Sequence, residues 1–268
     1  MTNIQSSSDK YIIEERVIER AMATYPDIPQ IVEYSTPVVA FGYPTNAKMV
    51  TVGINPSSVE FQTKSKLSKV LAEGKKRLVD TQILGIEAPS ALTQEQAKQV
   101  VNGCYSYFDK GHNPYDWFDH LNNYINSHFG YSYHDGTAAH LDLVQWATDP
   151  VWGNITDEAI KVQLLKDDVD FLRYQVNSKK FEVIYLNGKS VFEQLTSNGI
   201  ITAAPTGRVI QYKTKSGAPR ELTCYQGKSA NGSLVLGCNK PFPGHYISGE
   251  ELPRVVDELR SFFDLYIK

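Results

Sequence analysis

Cysteine is scarce and badly placed for chemistry. Cys104, Cys224 and Cys238 are odd in number and share no CxxC spacing, which points away from a disulfide framework and from a tetrahedral zinc site. Three thiolates are also too few for a cluster that needs four. Long apolar runs are missing, since none approaches the roughly 18 residues of a membrane span. The polar start, Met1 to Lys10, carries no signal-peptide hydrophobic region, so the expected setting is cytoplasmic with no membrane partner. A strong excess of one charge is absent as well: 27 Lys and Arg face 30 Asp and Glu, a net charge of −3. Such a chain does not coat nucleic acid by bulk electrostatics, because phosphate binding scales with the number of neutralising cations. Any DNA contact has to be local. The densest basic run is Lys64, Lys66, Lys69, Lys75, Lys76 and Arg77 against the single acid Glu73, a pattern most often seen on a solvated helix face.

Several motifs are missing too. The dinucleotide fingerprint GxGxxG, the nucleophile elbow GxSxG and the zinc motif HExxH do not occur, so nicotinamide, α/β-hydrolase and zincin chemistry have no support. Asn187-Gly188-Lys189-Ser190 lacks the earlier glycine of a phosphate-binding loop. No cofactor, no metal and no obligate protein partner is expected.

What is present is an ordinary globular composition, 41% hydrophobic and 21% charged, with short β-branched runs alternating with helical patterns. A helix is expected around Ile12 to Ala23, then prolines, then an extended stretch Pro37 to Phe41. Residues 1–36 read as an N-terminal helical cap, and 37–268 as one α/β domain with a helical insertion at about 80–135. Strands are expected at Met49 to Ile54, His140 to Trp146, Phe181 to Leu186 and Leu234 to Gly237. Helices are expected up to about Val79 and at Asp157 to Val176, Val191 to Leu195 and Glu250 to Tyr266. Turn signals at Ser216-Gly217 and Asn231-Gly232 suggest a hairpin before the last core strand. The aromatic stripe Tyr105, Phe108, Trp117, Phe118 and Leu121 reads as core. Strands alternating with helices predict a three-layer α/β sandwich around a short, mostly parallel, four-stranded sheet, with ligands gathering beyond the carboxyl ends of its strands. Those ends carry Asn55, Asp142 to Thr148, Asn187 and Asn239 to His245.

Two proline-rich loops follow separate strands. Gly53-Ile54-Asn55-Pro56-Ser57 resembles the first active-site motif of the uracil-DNA-glycosylase superfamily in its GINP form. Asn239-Lys240-Pro241-Phe242-Pro243-Gly244-His245 resembles the later His/Asn-Pro-rich loop, although it departs from the usual His-Pro-Ser-Pro. Between them, His140 to Trp146 sits where that family places a base-reading residue. The resemblance covers the chain from about Pro37 onward. It implies a monofunctional, metal-free DNA glycosylase, in which Asn55 orients the water and either Asn239 or His245 stabilises the departing base. Gly53, Ile54, Pro56, Ser57, Asn187 and Lys240 are expected to line the substrate pocket. Phe61 or Trp146 is expected to stack on the flipped base, and Phe242 or Tyr246 to fill the gap left in the DNA.

Asp142 departs from the asparagine that reads uracil. An ionised carboxylate only accepts hydrogen bonds, which suits the N4 amine of cytosine, though Asp142 can instead serve as a general base or a structural cap. Ser57 stands where uracil-restricted relatives carry a tyrosine that blocks substituents at C5. Together they imply a 5-modified cytosine, such as the glucosylated hydroxymethylcytosine of phage DNA removed by a bacterial defence branch of the superfamily. The alternatives are a uracil or mismatch glycosylase of repair, a non-catalytic DNA-binding module, and an enzyme on free nucleosides. Without a lysine near the motifs other than Lys189 and Lys240, lyase chemistry is not expected.

Overall fold

The computed structural model describes residues 10–23, 25–63, 76–86, 91–109, 117–242 and 247–267. Four short strands run parallel: β1 (Met49–Gly53), β2 (Ala138–Asp142), β3 (Val183–Asn187) and β6 (Leu234–Cys238). The order across the sheet is β2-β1-β3-β6-β5-β4, where β4 (Ile201–Lys213) and β5 (Pro219–Ser229) form an antiparallel hairpin that joins the edge of β6. The sheet therefore has six strands and not the four expected. The hairpin was legible from its turn signals. That it completes the sheet follows from the unpaired backbone groups β6 would otherwise expose.

The parallel strands are buried almost throughout, as strands covered on both faces must be. One row of side chains, Thr51, His140 and Tyr185 in register, faces the helical insertion and the last helix. The insertion contributes α2 (Gln94–Tyr105), opened by a Thr93/Gln96 capping box, and α3 (Trp117–Tyr124). On that face Tyr185 meets Phe263 of α6 (Leu252–Phe263) edge-on, and Arg260 of α6 donates to the Asn123 carbonyl of α3. The opposite row, Val50, Val52, Leu141, Ile184 and Leu186, is fully buried in the same apolar core as Leu172 and Val176 of α4 (Glu158–Ser178). The aromatic stripe is core as expected at Tyr105, Phe108, Phe118 and Leu121, whereas Trp117 is only half-buried.

Several boundaries shift. The expected helix 12–23 contracts to α1 (Glu15–Ala21), and the expected short helix after β3 lengthens to α5 (Lys189–Ser197). The second strand starts earlier than expected and stops at Asp142, after which Leu143 and Val144 donate in succession to the Gly53 and Ile54 carbonyls. Of the helix expected before Val79, the described part is a single 3-10 turn, Ser58–Glu60; positions 64–75, with most of the basic run, lie outside the described residues. No helix among the described residues is long and apolar enough to cross a membrane.

Candidate active site

The chain goes from β1 to β2 on one side and then returns to β3 on the other, so β1 and β3 form the point where strand order reverses. Ligands of open α/β sheets bind beyond the strand ends at such a point. Here the loop after β1, the end of β2, Asn187 of β3, Val191 of α5 and Pro241 enclose a cavity of about 220 Å³. Phe41, Trp117 and Phe118 supply its aromatic wall, and Asn55, Ser57, Glu60, His140 and Asp142 its polar groups. The volume falls below the ~300 Å³ at which drug-sized ligand sites begin, and fits a single ring better than a dinucleotide.

Gly53 is required by space. A Cβ there would collide with Asp142 Oδ1 and lie 2.9 Å from His140 Nε2, so only glycine lets those side chains close over the end of β1. Asn55 follows in the turn. Its Nδ2 donates to the Pro56 carbonyl (3.1 Å) and to Thr148 Oγ1 (3.0 Å), with the Trp146 carbonyl 3.5 Å away. Two carbonyl acceptors fix which end of the amide is the nitrogen. The Asn55 side-chain oxygen then accepts no hydrogen bond among the described residues, in a residue that lines the cavity.

Asp142 closes a buried relay. Tyr133 Oη lies 2.6 Å from Thr51 Oγ1, Thr51 Oγ1 lies 2.7 Å from His140 Nδ1, and His140 Nε2 lies 3.3 Å from Asp142 Oδ1. With the tyrosine donating to the threonine and the threonine to Nδ1, His140 Nε2–H is left to donate to Asp142 Oδ1, and every group in the relay is used. Phe41, Trp117 and Phe118 pack around the His140 ring at centroid distances of 5.8, 5.2 and 5.3 Å. The second Asp142 oxygen accepts nothing among the described residues.

Glu60 is the residue that sequence reasoning missed. The 3-10 turn after Ser57 carries it back to the cavity, where it is 5% exposed, and both its oxygens lie within reach of the Tyr107 hydroxyl, at 2.9 and 3.0 Å. Burial pushes its carboxyl up to about 7; the Tyr107 hydrogen bond and the Arg77 charge oppose that rise, and the Asp142 charge adds to it. Five residues after Asn55, it had no local signal beyond an acid in an otherwise apolar or neutral stretch. Trp117, Phe118, Phe41, His140, Val191 and Pro241 also line the cavity without having been singled out for it.

Of the residues expected at the site, Gly53, Ile54, Asn55, Pro56, Ser57, Asp142 and Asn187 are brought together around the cavity. Asn187 is already committed, since its Nδ2 donates to the Phe242 carbonyl (3.1 Å) and its Oδ1 accepts from the Phe242 amide (2.6 Å), pinning the loop after β6. Asn239 turns toward β5, where its Oδ1 accepts from the Thr223 amide at 3.0 Å, and does not line the cavity. Phe242 is fully buried with its ring edge-on to Tyr124, and Phe61 and Trp146 are buried in packing outside the cavity. Lys240 is half-buried and does not line it either. His245 and Tyr246 lie outside the described residues. Among the described residues no group of His, Cys, Asp and Glu could hold a metal ion.

Of the basic run expected at 64–77, only Lys76 and Arg77 lie within the described residues. Lys76 pairs with Asp80 at 2.5 Å, and Arg77 is buried with its Nη1 donating to the Tyr107 carbonyl, so these two are internal. The β4–β5 hairpin, by contrast, overhangs the sheet: β5 last pairs with β6 at Cys224, and residues 219–223 continue past the carboxyl end of β6, roughly 17 Å at strand rise. That overhang lies on the cavity's end of the sheet and exposes Lys213, Lys215 and Arg220 with one acid of its own, Glu221; Arg208 is exposed at the bulge before it, and Glu251 lies beside Lys213.

The fold is an α/β sheet with a small, mixed polar and aromatic cavity at its switch point. No family model matches the chain, and no curated protein matches it.

Proposed function

We propose that the protein is a monofunctional DNA glycosylase of the uracil-DNA-glycosylase type, hydrolysing the N-glycosidic bond of a flipped-out, 5-modified cytosine and leaving an abasic site. The observation that carries this reading is the pair of unspent acceptors, Asn55 Oδ1 and the second Asp142 oxygen, in one ring-sized cavity walled by aromatic side chains. A base taken out of its stack needs an aromatic surface, a polar group for its edge and a positioned water at C1′. Trp117, half-buried at the wall, supplies the surface. Asp142 accepts from the exocyclic N4 amine, with His140 holding its other oxygen in place. Asn55 orients the water through its side-chain oxygen; an amide positions and does not deprotonate. Ser57 lines the cavity with a small side chain and leaves space for a substituent at C5.

Two further features support DNA as the substrate and hydrolysis as the reaction. The basic overhang gives phosphates a local contact on the cavity's end of the sheet, despite the net charge of −3. Neither Lys189 nor Lys240 lines the cavity, and Lys189 lies 3.4 Å from Glu193, so no described lysine is set to attack C1′. Phage DNA bearing glucosylated hydroxymethylcytosine is the substrate class to try first.

Base release is measured on DNAs containing uracil, hydroxymethylcytosine and glucosylated hydroxymethylcytosine, with Asn55→Ala and Asp142→Asn beside the parent. Release of the modified cytosines alone, lost in both variants, is the expected result. Uracil release alone would keep the glycosylase and discard the role of Asp142, while salt-sensitive DNA binding with no release would leave a binding module.

A further inference from the structure

We propose that Glu60 is the acid that protonates the departing base, and that this proton fits the site to cytosine-type leaving groups. The inference rests on the glycosylase reading and adds a catalytic group to it. A uracil leaves as an anion whose charge spreads over two carbonyl oxygens. Cytosine carries an amine in place of one of them, so its anion is a poorer leaving group and departs best with a proton delivered to the ring, at N3. An acid is therefore needed in addition to the acceptor that reads N4.

Glu60 is built for that task. It lines the same cavity as Asp142, and its only hydrogen-bond partner among the described residues is the single Tyr107 hydroxyl, which its two oxygens share. An ionised carboxylate has about four acceptor sites, so one shared donor leaves it poorly solvated, whereas the neutral acid has its own O–H to give. The groups around it are Tyr107 after α2, Arg77 before the insertion, and His140 and Asp142 on β2. Arg77 acts at a distance, its Nη1 donating to the Tyr107 backbone oxygen. Two carboxyl groups at one small cavity divide the labour that a cytosine edge requires: Asp142 ionised to accept from N4–H, Glu60 protonated to donate to N3.

The step balances without any added reagent. The C1′–N1 bond breaks with its electron pair passing to the base, and the Glu60 proton moves to N3, so neutral cytosine leaves. The water held by Asn55 adds to C1′, and the proton it loses restores Glu60 directly or through solvent. Burial that keeps Glu60 protonated to about pH 7 makes the acid available under neutral conditions.

The test is single-turnover base release from hydroxymethylcytosine DNA between pH 5 and 9. The parent rate is expected to fall tenfold per pH unit above about 7. Glu60→Gln keeps the shape of the neutral acid and is expected to lose ~100-fold or more and to flatten that limb. Tyr107→Phe removes the one hydroxyl that stabilises the carboxylate, so the limb is expected to move to higher pH. Cytosine release by the parent with an unchanged rate and limb in Glu60→Gln, or an unmoved limb in Tyr107→Phe, would overturn the role of Glu60 and leave the glycosylase standing. No base release by the parent at any pH would overturn both.

Discussion

Two buried carboxylates follow one another around the end of β2, and they have opposite fates. Asp168, brought by α4, pairs with Arg20 of α1 and accepts the Gln145 amide at 2.7 Å. Gln145 in turn accepts from Arg20 Nε at 3.0 Å and donates to the Asp142 and Leu143 carbonyls at 2.8 and 3.0 Å. Both Asp168 oxygens and the whole Gln145 side-chain amide meet protein. Asp142, three residues before Gln145, has one oxygen on His140 and leaves the other to a cavity it shares with Glu60. The closed cluster ties the N-terminal segment to the loop after β2. The open one keeps acceptors unspent in a space that a ligand can fill. Burial is common to both acids; the unspent oxygen is what separates Asp142 from Asp168.

The sharpest way to break this comparison is to remove each carboxylate. Asp168→Ala leaves Arg20 as an uncompensated buried charge and is expected to cost ~3–5 kcal/mol of stability, read by denaturant unfolding, with base release per folded molecule unchanged. Asp142→Asn is expected to do the reverse. Release of modified cytosine falls ~100-fold, about 2.7 kcal/mol in the barrier, while the unfolding midpoint hardly moves. If Asp142→Asn unfolds the protein, or Asp168→Ala abolishes release while folded, the distinction fails.

A pH titration of stability sharpens it. The folded Glu60 carboxyl holds its proton to about 7 where an unfolded glutamate releases it near 4.5, so stability is full below that range and is lost as pH rises through it. Glu60→Gln removes the loss and is expected to be more stable than the parent at pH 8, relative to pH 4, by an amount of the order of 3 kcal/mol. Asp168, which burial raises to about 6 against the pull of Arg20, has the same sign, so a smaller fall below about pH 6 should persist in that variant. The smallest effect is expected on the overhanging hairpin. Lys215 and Arg220 changed together to serine should lower the slope of log affinity against log salt by about 0.9 for each phosphate no longer neutralised, leaving base release at saturating DNA unchanged.

Hydrophobic runs and turn chemistry are local properties, and they were sufficient to find the four parallel strands, though not the bounds of β2, together with the helices α4 and α5, the hairpin turns and the strand-ending Asn55-Pro56. Asp142 was singled out by the resemblance instead, as an acid where uracil-reading relatives carry an asparagine. What local properties could not supply was register across the sheet. The sequence between 201 and 229 reads as a hairpin whether or not it pairs with β6, and only the free edge of β6 decides that it does. Asn239 and Phe242 sit in a loop rich in the residue types that do chemistry, yet β5 takes the Asn239 amide and the core takes the Phe242 ring.

The sequence by itself determined an α/β chain with polar groups at the strand ends, because strand and helix periods and turn residues act over a few positions. The tertiary structure decided which of those polar groups are spent and which are free. Glu60, Trp117 and His140 come from three separate segments, and their place at one cavity depends on partners far along the chain. A hydrogen bond is consumed or left open by whatever arrives from elsewhere, and no local pattern records that arrival.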